Sequence, residues 1–215
     1  MKVAVVGLGY WGPNLVRNLR AAESVPEVVA CDVDEARVKS LIKQYPGTIG
    51  MTDYGDVLGD PLLDAVVLAA AGLNRIGRLA EATELIAADT VLPAPGQGAL
   101  AVECAASNPE LAAQLAALDD PFTRVAVTAE RSLLAALEAG CSAPVGALAD
   151  LVADGQTTEL RLRGVVGTTD GTTLVQMSIT GSVPASDDEA RALGRELAVE
   201  MLAKGAAGLM GERTP

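Results

Sequence analysis

The spacing of three glycines directly behind the first strand-like run constrains this chain more than any other feature. Residues 3–7 read VAVVG, and Gly7, Gly9 and Gly12 follow as G-x-G-x-x-G. A short Val-rich run closed by glycine suits a buried parallel strand. Pro13, favoured in a first helical turn, precedes Leu15, Val16 and Leu19 at helical spacing, so a helix is predicted immediately after the third glycine. A second strand is predicted over Val28–Cys31, ending at Asp32, twenty residues beyond Gly12. In such a unit the first glycine permits the tight strand-to-helix turn. The second lets the backbone approach a pyrophosphate, and the third lets helix and strand pack closely. The helix N-terminus presents free N–H groups and partial positive charge to phosphate. A carboxylate at the end of the second strand accepts from ribose hydroxyls and repels a 2′-phosphate. Gly7, Gly9, Gly12 and Asp32 are therefore a candidate dinucleotide site selective for NAD.

The alternation of strand and helix continues. Val38, Leu41 and Ile42 suit a second helix, residues 48–51 a short strand, residues 54–58 a helical turn, and DAVVLAA (64–70) another buried strand. GLGYWGPNLVRNL, CDVD and TDYGDVLGDPLLDAVVLA together resemble the N-terminus of the glucose–fructose oxidoreductase/inositol dehydrogenase family over residues 1–69. The resemblance implies a Rossmann-like, NAD-binding segment. It stops there, because the family's lysine-bearing EKP-type motif has no counterpart and the chain contains no histidine. Only the glycine-loop and Asp32 roles carry over. The absence of histidine also excludes a Ser-His-Asp triad, a Cys-His pair and a His-ligated metal. Cys31, Cys104 and Cys141 are odd in number, widely spaced and without a CxxC, so neither a disulfide framework nor a metal is expected.

From about residue 65 the chain resembles a different family. AVVLAAAGLNRIGRL, VLPAPGQGALAVEC, VTAERSLLAALEAGCSAPVGALA and RLRGVVGTTDGTTLVQMSITG are similar to the C-terminal half of hydroxymethylbilane synthase, also called porphobilinogen deaminase, of tetrapyrrole biosynthesis. That resemblance implies periplasmic-binding-protein-like domains followed by a small third domain. It also implies a dipyrromethane cofactor attached to a loop cysteine. The loop reads EAGCSAPVG over 138–146, which puts Cys141 at the attachment position. The family's catalytic aspartate lies in an HSxKD-type motif and its carboxylate-gripping arginines partly in an SSLRR-type segment; neither motif occurs here. Arg75, Arg78, Arg124, Arg131 and Arg163 remain, too few to neutralise a growing pyrrole chain rich in carboxylates. The expectation is a recombined, engineered chimera without catalytic turnover, with Cys141 a free thiol and NAD binding at most. Two alternatives stay open: a hydroxymethylbilane synthase-related protein with dipyrromethane on Cys141, and an NAD(P)-binding oxidoreductase-like module.

The expected fold is α/β. A parallel Rossmann-like/periplasmic-binding-protein-like hybrid sheet, with helices on both faces, occupies residues 1–139 (1–69 Rossmann-like, 70–139 synthase-derived). A small α+β domain with a three-stranded antiparallel sheet occupies 140–215. Leu100–Cys104 is predicted as a strand. A helix capped by Asp120 should bury Phe122, Val125, Ala126, Ala129, Leu133 and Leu137. Gly146–Ala153, Glu159–Gly164 and Thr173–Ile179 should form the antiparallel strands. Ser186 and Glu189 read as a capping box for the last helix. Half of the residues are hydrophobic but only 2% are aromatic, so the cores must be Val, Leu, Ile and Ala. A net charge of −12 argues against nucleic acid or anionic lipid as partner. No apolar run is long enough to span a membrane. Lys2 leads straight into a strand, so no secretory signal is expected and the cytoplasm is the expected compartment. Self-association is expected through apolar surface near Pro93–Ala101.

Overall fold

The structure is a computed structural model and describes residues 1–9, 12–139, 143–154, 157–168 and 172–210. The chain divides into two compact units, one spanning Met1–Leu85 and one built from Ile86 onward.

The first unit alternates strand and helix: β1 (Lys2–Val6), α1 (Gly12–Ala21), β2 (Glu27–Cys31), α2 (Glu35–Gln44), β3 (Ile49–Met51), α3 (Tyr54–Leu58), β4 (Ala65–Val67) and α4 (Ala70–Arg75). The strands form a parallel sheet in the order β3-β2-β1-β4, with Val3 opposite Val28 and Ala65. Because successive side chains point to opposite faces, Val3, Val5, Val28 and Ala30 pack with Val16 of α1 and Val38 and Leu41 of α2. Ala4, Val29 and Cys31 pack on the other face with Val57 of α3. Burial of both faces accounts for the unbroken apolar runs. Asp34 caps α2 through the Ala36 N–H, and Asp53 caps α3 through the Gly55 N–H.

The second unit holds α5 (Pro109–Leu115), α6 (Pro121–Ala136), β5 (Val145–Asp154), β6 (Thr157–Gly167), β7 (Leu174–Ser182), α7 (Asp187–Ala203) and α8 (Ala206–Leu209). The three strands are antiparallel in the order β5-β6-β7, with Ala147 opposite Gly164 and Leu162 opposite Ile179. α6 and α7 supply Val125, Ala129, Leu133, Leu197, Ala198 and Met201 to a core shared with Leu160, Leu162 and Val166 of β6. Asp120 accepts from the Thr123 N–H, as the cap requires. Ser186 Oγ accepts from the Glu189 N–H, while the Glu189 carboxylate accepts from the Ala185 N–H.

Several expectations differ from what is observed. No described strand after β4 joins the parallel sheet, and α4 buries none of its residues. Leu100–Cys104 is irregular, since a strand needs a neighbour to pair with and none lies beside it. The boundary expected at 139/140 falls at 85/86, because the buried stripe of α6 packs with α7 and the antiparallel sheet. Phe122 is 55% exposed, so the buried face of α6 begins one turn later, at Val125.

Candidate functional site

The glycine loop sits at the C-terminal edge of the parallel sheet. The Gly7 N–H donates to the Cys31 carbonyl at 2.9 Å, which carries the β1–β2 ladder into the turn. Gly7 has φ 92°, in the left-handed region that glycine enters without strain. A Cβ on Gly12 would stand 2.3 Å from the Gly7 carbonyl oxygen, so helix and strand approach as closely as the sequence pattern implies. At Gly9 nothing lies within 4 Å of where a Cβ would be. Tyr10 and Trp11 lie outside the described residues.

Asp32 stands beside this loop, its side chain only 8% exposed. Oδ2 accepts from the Leu8 N–H at 2.6 Å and Oδ1 from the Asp34 N–H at 2.9 Å; Arg37 lies 3.8 Å away. Burial alone would raise the carboxyl pKa. The hydrogen bonds from Asp34 and Leu8 and the Arg37 charge outweigh it and hold Asp32 below the usual carboxylate range. The structure thus brings together the four residues singled out by spacing. It adds that the carboxylate clamps the glycine loop to the end of β2, which spacing alone did not reveal. A carboxylate whose folded pKa is depressed stabilises the fold above its unfolded pKa, and that contribution disappears as pH falls through the folded value. In acid titrations followed by circular dichroism, Asp32→Asn is therefore expected to lower the stability of the first unit at neutral pH and to flatten its loss below about pH 4.

The three thiols differ. Cys31 is buried, and burial, with Asp32, Asp53 and Asp56 nearby, pushes its pKa up, which makes it a poor nucleophile. Cys104 is half-buried on the irregular segment before α5. Cys141 lies outside the described residues, as do Gly140 and Ser142. On one side of this stretch Leu137 is buried and Glu138 turns the chain at φ 52°; on the other, Ala143 packs on the core and Val145 begins β5.

Glu130, on α6, was not singled out by sequence reasoning. It is 4% exposed, and its carboxylate accepts from the Ala149 N–H of β5 at 2.8 Å and from the Gly96 N–H at 2.7 Å. It holds the APGQG turn (94–98) against the sheet edge, where the Ala147 N–H also donates to the Pro93 carbonyl at 2.8 Å. The available signal was position, since Glu130 shares a helix stripe with Leu133 and Leu137.

The arginines are largely spoken for. Arg78 pairs with Glu81, Arg124 with Asp119 and Asp187, and Arg163 with Asp89 and Asp150. Arg161 also pairs with Asp150, so this cluster joins two cations to two anions and carries no net charge to recruit an anion. Arg75 and Arg131 make no ion pair among the described residues. Also among the described residues, no cluster of acidic or cysteine side chains has the makings of a metal site, and no helix is long and apolar enough to cross a membrane.

Residues 124–203 match the family model "Porphobilinogen deaminase, C-terminal domain". Residues 54–113 match "Porphobilinogen deaminase, dipyromethane cofactor binding domain". The chain is 80% identical over 152 residues to porphobilinogen deaminase 1 of Streptomyces avermitilis, covering 70% of this chain and 47% of that protein. It is 78% identical over 152 residues to porphobilinogen deaminase 1 of Streptomyces coelicolor, covering 70% and 48%. With porphobilinogen deaminase of Mycobacterium tuberculosis the identity is 53% over 153 residues, covering 69% and 48%. The chain therefore spans about half the length of the curated relatives it matches.

These matches overturn the expectation of an inactive chimera. The 80% identity over 152 residues is with a protein named porphobilinogen deaminase 1, and two family models of that name match residues 54–113 and 124–203. The long retained stretch is a stronger signal than the two absent motifs.

Proposed function

We propose that this chain serves tetrapyrrole biosynthesis as a hydroxymethylbilane synthase, the activity of the porphobilinogen deaminases its residues 54–113 and 124–203 match, with dipyrromethane held on Cys141. The observation that carries the reading is the identity of 80% over 152 residues with an enzyme of that name. The donor chemistry fits: a thioether to a pyrrole needs a sulfur nucleophile, and Cys31 is excluded by its burial and raised pKa. When bound, dipyrromethane supplies the pyrrole end onto which further units are condensed. This chain's part is to hold that end on the loop between α6 and β5. Leu137 and Val145, on either side of that stretch, belong to the core that α6 and α7 share with the antiparallel sheet. Because the chain spans about half of its relatives, the complete reaction is proposed for it by analogy with them.

The test is the intact mass of the chain after expression and after incubation with porphobilinogen. A gain corresponding to added pyrrole units is expected, together with colour from an aldehyde reagent. Both should be abolished by Cys141→Ser and unaffected by Cys104→Ser. An unmodified mass in every sample overturns the reading.

A second reading concerns the first unit. The turn at Gly7, the close approach at Gly12 and the open space over Gly9 favour a dinucleotide phosphate site, with Asp32 holding the loop in shape through the Leu8 N–H. Calorimetric titration is expected to show NAD binding that Asp32→Ala weakens about tenfold, roughly 1.4 kcal/mol. No heat at millimolar NAD removes this reading.

A further inference from the structure

We propose that β7 (Leu174–Ser182) is a self-pairing edge, which joins antiparallel to β7 of a second copy of this chain about a two-fold axis at Ser178. The antiparallel sheet has two edges, and they differ. At β5 the Ala147 N–H donates to the Pro93 carbonyl and the Ala149 N–H to Glu130, so both of these edge donors are taken. The other edge is β7. Ala147 turns its N–H away from β6, so its opposite number Gly164 turns its own toward β7, where Met177 faces it. The alternation then points the N–H and C=O groups of Gln176, Ser178 and Thr180 away from β6. Among the described residues nothing pairs with them. The strand reads LVQMSITGS and is paired without interruption to β6. It has no charge, no proline and no bulge, the devices that ordinarily keep an exposed edge from pairing.

The occupant follows from the side-chain order. Leu174, Gln176, Ser178, Thr180 and Ser182 are exposed, whereas Val175, Met177 and Ile179 are half-buried and lean on the core beneath α6 and α7. Polarity is nearly palindromic about Ser178. With the axis there, Gln176 stands opposite Thr180 of the second copy and Ser178 opposite Ser178. On the other face Met177 stands opposite Ile179. Polar thus meets polar on the open face, and apolar meets apolar on the face toward the helices. A closed two-fold contact requires this property, that whatever one residue meets in its partner meets it in return. Centring on Gln176 or Thr180 would shorten the paired stretch.

Charge sets the conditions. Two copies of net charge −12 repel at long range, and salt screens that repulsion. The contact itself is uncharged and loses nothing to screening. Association should therefore tighten as salt rises, the reverse of a contact made by ion pairs.

The test is sedimentation equilibrium of the full chain over a concentration series at low and high salt, with hydrogen exchange at each concentration. The expected result is a monomer–dimer equilibrium, at least tenfold tighter in the high salt. The amides of Gln176, Ser178 and Thr180 should slow at least tenfold as dimer forms, while those of Met177 and Ile179, already facing β6, barely change. Gln176→Lys with Thr180→Lys sets like charges across the axis and should weaken the dimer at least tenfold, although it lowers the net charge. Gln176→Glu with Thr180→Glu should do the same. Mixing the two variants should restore a dimer, because each lysine then faces a glutamate. All four positions lie on exposed side chains, so circular dichroism should be unchanged, and Val199→Asp, on the exposed side of α7, should leave the dimer intact. Three outcomes overturn the proposal: a monomer up to about 1 mM in both salts, a dimer indifferent to the paired substitutions, or a dimer in which the Gln176, Ser178 and Thr180 amides exchange as in the monomer. No porphobilinogen or NAD enters the experiment, so its outcome is independent of both readings above.

Discussion

Truncation of Glu130 to alanine is expected to destabilise the second unit by about 3 kcal/mol in urea or thermal unfolding. The carboxylate is buried and serves two backbone donors, the Ala149 N–H of β5 and the Gly96 N–H. Its removal leaves the buried Ala149 N–H without an acceptor, at a cost of about 1–3 kcal/mol, and opens a void beside the sheet. The conservative variants discriminate. Glu130→Gln keeps the volume and one acceptor but turns an NH2 toward the other N–H, so it should fall between wild type and alanine. Glu130→Leu fills the space without any acceptor and should recover little. The pH dependence has a definite sign. Burial, outweighing the hydrogen bonds from Ala149 and Gly96, raises the Glu130 carboxyl above its ordinary 4.5. The folded state therefore binds the proton more tightly than the unfolded state, and stability falls as pH rises from 4.5 through the raised value. Glu130→Gln should remove that slope. Equal stability of wild type and alanine variant would show that water serves both donors.

Gly194→Ala is expected to lower the stability of the same unit by about 2 kcal/mol, a fall of roughly 8 °C in Tm. A Cβ there would lie 2.4 Å from the Ala129 carbonyl oxygen and 2.7 Å from both the Leu133 amide nitrogen and the Ser132 Cβ. Two of these neighbours are α6 backbone, which cannot rotate away as a side chain can. Separating α6 from α7 also lengthens the bond from Ser132 Oγ to the Arg191 carbonyl, now 2.7 Å. Overpacking of about 3 kcal/mol thus outweighs the gain of about 1 kcal/mol that alanine brings to a helix interior. Gly208→Ala, in α8 with open space around it, has only the helical gain and should be neutral or stabilising. The opposite signs at two helical glycines measure close approach rather than helix propensity.

Much of the fold was legible because its determinants are local. Glycine spacing and apolar runs located β1, α1, β2 and Asp32, and Asp120, Pro121, Ser186 and Glu189 marked the starts of α6 and α7. The second family resemblance points to the relatives that the comparisons find, because it rests on long contiguous motifs, whereas two missing motifs say nothing of the stretch that is present. Phe122 failed because helical period identifies a stripe but not how far along the helix its partner extends.

By itself, then, the amino-acid order determined most of the helices and strands, where the parallel sheet turns on glycine, and which family residues 54–113 and 124–203 resemble. Only the tertiary structure decided that α6 joins the antiparallel sheet and that Asp32 and Glu130 are occupied by backbone donors. It alone also decided that, among the described residues, no strand lies beside Leu100 and Val102. The reason is range. Backbone preference and side-chain period act over a few residues, whereas a buried carboxylate, a helix crossing or a strand pairing depends on groups brought together from distant parts of the chain.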